Sequence, residues 1–159
     1  MKYAGIGARK TPGETLELMR QYGVYLSALG WVLRSGKAWG ADAAFQAGAN
    51  NATWPSMELY GRNEAAANPA WVNHAAMFHP KWEECSPVAK LLLGRNSAII
   101  LGPNLTEPVN AVICWTPGGR VIGGTGQSLR IAAAYGVPVF NLAIAGQQEA
   151  LNAFVANAK

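Results

Sequence analysis

The sequence predicts an α/β fold, a doubly wound and mostly parallel sheet with helices on both faces. Short apolar runs suited to buried strands, such as Trp31-Val32-Leu33 and Ala111-Val112-Ile113-Cys114-Trp115, alternate along the chain with segments of helical spacing. Glycine-rich turns stand at the junctions: 18 glycines in 159 residues is about 11%, against a usual ~7%. Half of the residues are hydrophobic, and neither a repeat nor a linker interrupts them, so one domain over 1–159 is expected.

The elements follow in order. Lys2 to Gly7 reads as a short buried strand. Thr11-Pro12-Gly13-Glu14 then places a Thr at N-cap, a Pro at N1 and a Glu at N3, a capping box that opens a helix. Met19, Tyr22, Leu26 and Leu29 give that helix one apolar stripe, and Gly30 stops it. A second strand at Trp31-Val32-Leu33 ends in Arg34-Ser35-Gly36, an alanine-rich helix runs from about Gly40 to Ala49, and Met57 to Tyr60 forms a third strand. From Gly61 to about Glu84 the periodicity blurs, which reads as an insertion or lid with partial helix. Ser86 to about Ile100 resumes helical spacing and ends at Gly102-Pro103-Asn104. The buried strand ending in Trp115 leads through a glycine-rich turn at Gly118 to Gly126 into a helix ending at Ala134. Val137-Pro138-Val139-Phe140 makes a further strand, and a helix closes the chain from about Gln147 to Ala158.

Charge narrows the chemistry. The net charge is +4, and all of the excess falls in residues 1–40, where Lys2, Arg9, Lys10, Arg20, Arg34 and Lys37 face only Glu14 and Glu17. A local excess of that size suits phosphate-bearing partners better than a membrane surface. Asp42 is the lone aspartate, which argues against a multi-aspartate metal site; the two histidines and the thiols Cys85 and Cys114 have no zinc-ligand spacing. No metal or cofactor is expected. The absence of a long apolar window and of a signal-like N-terminus predicts a cytoplasmic protein that does not enter the membrane.

Three loops, each directly after a strand, can carry chemistry, because ligands of doubly wound sheets bind outside the carboxyl ends of the strands. In the first, Gly5-Ile6-Gly7-Ala8-Arg9-Lys10-Thr11, small residues let backbone amides approach an anion beside a helix N-terminus. Lys10 at the third glycine position, and Arg34 where a ribose-binding acid would stand, separate this loop from the dinucleotide fingerprint. The second is Ser35-Gly36-Lys37-Ala38-Trp39-Gly40-Ala41-Asp42, where Ala38 after Lys37 rules out a Walker A loop. Asp42 has two open readings: an acid that caps free amides in the next helix, or a contact to a ligand's ribose or base. The third is Thr116-Pro117-Gly118-Gly119, directly after Trp115, then Gly123-Gly124-Thr125-Gly126-Gln127-Ser128, an anion cradle at a helix start. Arg95-Asn96 ends a helical stretch and is a further candidate. His74 and His79 are assigned to the surface or to packing, and most of the six tryptophans to the core, with Trp39 and Trp115 placed to stack on a base.

The segments "YAGIGARKTP", "SGKAWGADAAFQAGA", "LLGRNSAII" and "VICWTPGG…GGTGQSLRIAAAYGVPVFNL" resemble the single Rossmann-like domain of the DprA-like, or more broadly SLOG and LOG, superfamily. The resemblance is to a short version of the kind carried by bacteriophages and covers nearly the whole chain outside roughly residues 61–82. The "SG-x-A-x-G-x-D" and "RN" pieces resemble the DprA branch. That implies single-stranded DNA binding in DNA processing or recombination, by a homodimer. The "PGG…GGTGQS" piece resembles the phosphate loop of LOG enzymes, which release a base from nucleoside monophosphates. In that family the loop carries a catalytic Glu three residues after the Thr and works with an Arg from an earlier helix. Arg95 matches the Arg, but Ser128 stands at the Glu position and an insertion parts Pro117-Gly118-Gly119 from Gly124-Thr125. A hydroxyl cannot act as the carboxylate of N-glycosidic hydrolysis. The expected function is therefore nucleotide-phosphate binding, with single-stranded DNA as the implied ligand. A small-nucleotide sensor or sequestering protein is the alternative, and a LOG-like phosphoribohydrolase the second.

Overall fold

Parallel strands buried on both faces must be apolar on both, and each must be separated from the next by a crossover long enough for a helix. A computed structural model, which describes residues 1–158, shows that arrangement. Its strands are β1 (Lys2–Gly5), β2 (Val32–Ser35), β3 (Met57–Leu59), β4 (Ala111–Cys114) and β5 (Val139–Asn141). They form one sheet in the order β3-β2-β1-β4-β5, every neighbouring pair parallel. The helices are α1 (Gly13–Ala28), α2 (Ala41–Ala49), α3 (Arg62–Ala66), α4 (Pro69–Ala76), α5 (Pro87–Leu101), α6 (Gly123–Ala134) and α7 (Gln147–Asn157). Together they make the Rossmann-like doubly wound α/β fold.

The alternation of side chains along each strand allots residues to two cores. Tyr3, Leu33, Ala111 and Ile113 face α1, α2 and α7, packing with Met19, Phe45 and Leu151. Ala4, Val112 and Cys114 face the other side, against Ile99, Ile100 and Leu101 of α5 and Leu129, Ile131 and Ala132 of α6. Helices α1 and α2 cross at very short range because Gly23 and Gly48 meet there: a Cβ on Gly23 would lie 2.5 Å from the Phe45 carbonyl oxygen. A larger residue at this crossing would push the first helix pair off the sheet.

Several local expectations change. Thr11 does not cap α1: Pro12 occupies the N-cap, and the Thr11 hydroxyl instead donates to the Ala8 carbonyl at 2.6 Å, closing the loop after β1. That strand stops at Gly5, two residues early, although the Ile6 and Ala8 N–H groups still donate to the Ile113 and Trp115 carbonyls at 3.1 Å each as the turn begins. Gly123 to Gly126 are not a turn before α6 but its first helical residues.

The segment 61–84 folds as α3, α4 and a short 3-10 turn at Trp82–Glu84. Trp71, Ala65 and Ala98 form a small core between α3, α4 and α5, and the Trp71 indole N–H donates to the Pro103 carbonyl at 2.8 Å. His74 is buried, its Nδ1 2.9 Å from Ser97 Oγ and its Nε2 3.0 Å from Tyr135 Oη, so it joins α4 to α5 and to the end of α6. Burial pushes its pKa down, which favours the neutral imidazole.

Candidate functional site

The strand order reverses between β1 and β4, and a doubly wound sheet opens a crevice above such a point. A cleft of about 670 Å³ lies there, within the range that takes a small ligand. Gly7, Ala8 and Arg9 from the loop after β1 line it, with Lys37, Ala38 and Asp42 from the loop after β2 and the start of α2. Arg95 and Asn96 enter from α5, and Gly123, Gly124, Thr125 and Ser128 from α6. The structure thus gathers residues from all three candidate loops and from the Arg95-Asn96 pair.

At the α6 end the chain offers unused donors. The N-cap residue Ile122 cannot accept a hydrogen bond through its side chain, and the first turn holds no acid. The leading amides of α6 therefore face the cleft with the positive end of the helix dipole behind them. Asn96 Nδ2 donates to the Gly124 carbonyl at 3.1 Å and fixes this turn against α5. Gly123 has φ +68°, the left-handed region that favours glycine, and this lets the helix start abruptly from the preceding loop. Gly124 has open space where a Cβ would stand.

A pair of opposite charges occupies the wall beside Gly36. Asp42 is only 5% exposed, and its Oδ2 accepts from the Ala38 N–H at a long 3.4 Å. Burial raises its pKa from 3.8 to about 6; the Arg95 charge, the Ala38 and Gly36 amides and the Ser35 hydroxyl oppose that rise. Arg95 is held below its ordinary pKa by burial, partly offset by Asp42, and its buried Nε has no hydrogen-bond partner. A Cβ on Gly36 would lie 2.5 Å from Asp42 Oδ2 and closer still to Arg95 Nη1. Glycine is required here to let the two side chains flank the backbone.

Other expected site residues are placed elsewhere. Arg34 is fully buried on the face of the sheet that α5 covers but lies outside the cleft: Nη1 donates to the Glu107 carbonyl at 2.6 Å, Nη2 to its carboxylate at 2.8 Å, and Nε lies 3.4 Å from Glu58. It is a structural cation: Glu107, which also meets Lys2 at the start of β1, holds the guanidinium toward the end of the strands away from the cleft. Gly5 is tucked against Phe45, Ser35 Oγ donates to the Gly5 carbonyl at 2.6 Å, and Gly36 and Gly40 shape the second loop without lining the cleft. Lys10 is exposed and Thr11 is buried in its turn, and neither lines the cleft.

Beyond α6's first turn the helical rotation carries Gly126 and Gln127 away. Gly126 packs on Val121, and Gln127 is fully buried, Nε2 donating to the Ala75 carbonyl at 2.9 Å and Oε1 accepting from Arg130. Thr116 is pinned by Asn141, whose Nδ2 donates to Thr116 Oγ1 at 2.7 Å, and Trp115 packs in the core under α7.

The cleft also holds residues that the motifs do not announce. Arg62, from the first turn of α3, supplies a cation from the segment with the blurred pattern; no local signal marks it. Ile6, Leu92, Leu93, Ile99 and Ile122 make apolar walls, and Trp39, 72% exposed, stands at the rim. Lys37 is engaged with Glu64 of α3, so Arg9, Arg62 and Arg95 are the lining cations outside any ion pair among the described residues. Among the described residues there is no cluster of three or more metal-ligating side chains, and no helix is long and apolar enough to cross a membrane. No family model matches the chain, and neither a curated protein nor a solved structure matches it significantly.

Proposed function

We propose that the cleft between β1, β4, α5 and α6 binds a nucleotide through its phosphate. The observation that carries this reading is the convergence of the uncapped α6 N-terminus with Arg9 and Arg95 in one cleft large enough for a single nucleotide. Apolar walls from Leu92, Leu93 and Ile122 suit the flat face of a base, and a phosphate needs only a few fixed donors and cations. The likeness of the loops to the DprA-like and SLOG superfamily supports the same reading. Hydrolysis finds less support: Ser128 lies in the cleft at the position where LOG enzymes carry their acid, and of the acids that could stand in for it, Glu83, Glu84 and Asp42, only Asp42 lines the cleft.

Single-stranded DNA is the second reading. It is favoured by the exposed Trp39 indole at the rim of the cleft that Arg9 lines, with the solvent-facing Lys10 next to Arg9 in the chain, features suited to stacking and backbone contact. A homodimer belongs with this reading.

A thermal-shift panel of mononucleotides and single-stranded oligonucleotides, at two salt concentrations, separates the two. Stabilisation by mononucleotides alone supports the small-ligand reading. Stabilisation by oligonucleotides alone, falling steeply with salt, replaces it with the second. Light scattering of the same samples reports the oligomeric state.

A further inference from the structure

We propose that Asp42 and Arg95 together grip a free sugar hydroxyl, which makes the cleft's ligand a free nucleotide that offers an unesterified 2′- or 3′-hydroxyl and makes Asp42 the residue that selects it. The inference rests on the nucleotide reading above and adds to it the class of nucleotide and the residue that discriminates.

The geometry sets the complement. Asp42 Oδ2 and Arg95 Nη1 both crowd the point where a Gly36 Cβ would stand, so they are less than about 5 Å apart, yet they lie beyond the 4.0 Å of an ion pair. One atom can bridge that gap if it accepts from the guanidinium at ~2.9 Å and donates to the carboxylate at ~2.7 Å. The two bonds then meet at close to a tetrahedral angle, which is the geometry of a hydroxyl oxygen. Of the groups on a nucleotide only the sugar hydroxyls donate and accept through one atom. Ionised phosphate oxygens only accept, and ring N–H groups only donate.

The rest of the cleft agrees with that assignment. Asp42 is the lone carboxylate lining a cleft otherwise ringed by Arg9, Lys37, Arg62 and Arg95, so a phosphate belongs away from it, at the α6 N-terminus. The base belongs on the apolar side chains. The sugar joins base to phosphate, and the polar wall at Asp42 is the surface left for it. Asp42 Oδ1 makes no hydrogen bond among the described residues, and its Oδ2 makes one long one, so the carboxylate retains accepting capacity. An acid acting only as a helix-terminal cap would be engaged with the α2 amides. Asp42 instead takes its contact from the Ala38 N–H in the loop before α2, and burial raises its pKa to about 6 against the opposing Arg95 charge, Ala38 and Gly36 amides and Ser35 hydroxyl. Nucleotides inside a DNA strand have no free hydroxyl to offer.

The test compares ribonucleoside 5′-monophosphates of the four bases with their 2′-deoxy and 3′-deoxy counterparts by titration calorimetry, on the wild-type chain and on Asp42→Asn. The substitution is isosteric and removes a buried charge, so the variant is expected to fold; circular dichroism checks this. In the wild type, loss of one hydroxyl should weaken binding at least tenfold, because a site built to hydrogen-bond a hydroxyl rejects the analogue lacking it. In Asp42→Asn that ratio should fall to about threefold or less while phosphate-dependent binding persists. Equal affinity for all three forms in the wild type overturns the inference and leaves the phosphate reading standing. A preference that survives intact in Asp42→Asn overturns the role of Asp42. Failure of every nucleotide to bind removes both the inference and the reading beneath it.

Discussion

Asn96 on α5 donates through Nδ2 to the carbonyl oxygen of Gly124, 3.1 Å away in the first turn of α6. This one bond ties the helix that carries Arg95 to the helix that offers its free amides. Asn96→Ala should cost about 1 kcal/mol of stability, the scale of one hydrogen bond, and should weaken phosphate binding more than that loss alone explains. Chemical denaturation paired with calorimetry checks both halves. Unchanged affinity would mean that the α6 turn is held without Asn96.

Gly124→Asp separates site from fold. Nothing lies within 4 Å of a Cβ at this position, so the side chain enters open space with no backbone strain. A carboxylate in the first turn of α6 should stabilise the free protein by about 0.3–1 kcal/mol through the helix dipole. It should also repel an anionic ligand and lower phosphate affinity at least tenfold. The expected signature is a higher melting temperature with lost binding, and a variant that melts earlier would place the carboxylate elsewhere.

The opposite trade is expected at Asp42. Its pKa is near 6 in the folded protein against 3.8 as a free group, so the folded state holds this proton more tightly than the unfolded chain does. The contribution of Asp42 to stability is therefore greatest below about pH 4 and is lost as pH rises toward 6. At pH 7 the buried carboxylate costs about 3 kcal/mol, because a tenfold difference in proton affinity between the folded and unfolded chain is worth ~1.36 kcal/mol. Asp42→Asn should raise the melting temperature at pH 7 and flatten its dependence on pH between 4 and 6, as followed by calorimetric scans. A variant less stable than wild type at pH 7 would show that the carboxylate is well satisfied where it stands.

Arg34 illustrates what is legible in the sequence and what is not. The strands, the glycine loops and their common edge follow from apolar runs and from the punctuation between them, and the cleft lies at that edge. A residue's place in a loop or strand does not give the direction of its side chain. Arg34 follows Leu33 on β2 and so points to the α5 face, where the parallel register sets it beside Glu58 and Glu107 draws the guanidinium toward the start of β1, away from the cleft. Gln127 leaves the expected site for a related reason: with Gly123 already helical, it is rotated toward α4 while Ser128 stays in the cleft. Arg62 carries no sequence signal because α3 is held by packing on α5, not by a periodic pattern of its own.

The placement of Arg34 has its own test. Arg34→Met removes the buried guanidinium that joins β2 to Glu58 and Glu107 and should destabilise the fold by about 3 kcal/mol. The folded fraction should bind nucleotide as tightly as wild type. A tenfold or greater loss of affinity with little change in stability would return Arg34 to the site.

The most direct test of a phosphate-reading cleft is calorimetric titration of a nucleoside 5′-monophosphate and its parent nucleoside into the wild-type chain and into Gly124→Asp. The monophosphate should bind the wild type at least tenfold more tightly than the nucleoside does, and Gly124→Asp should abolish the difference. Equal binding of the two ligands by the wild type, or full retention of the monophosphate's advantage in Gly124→Asp, would contradict the phosphate reading.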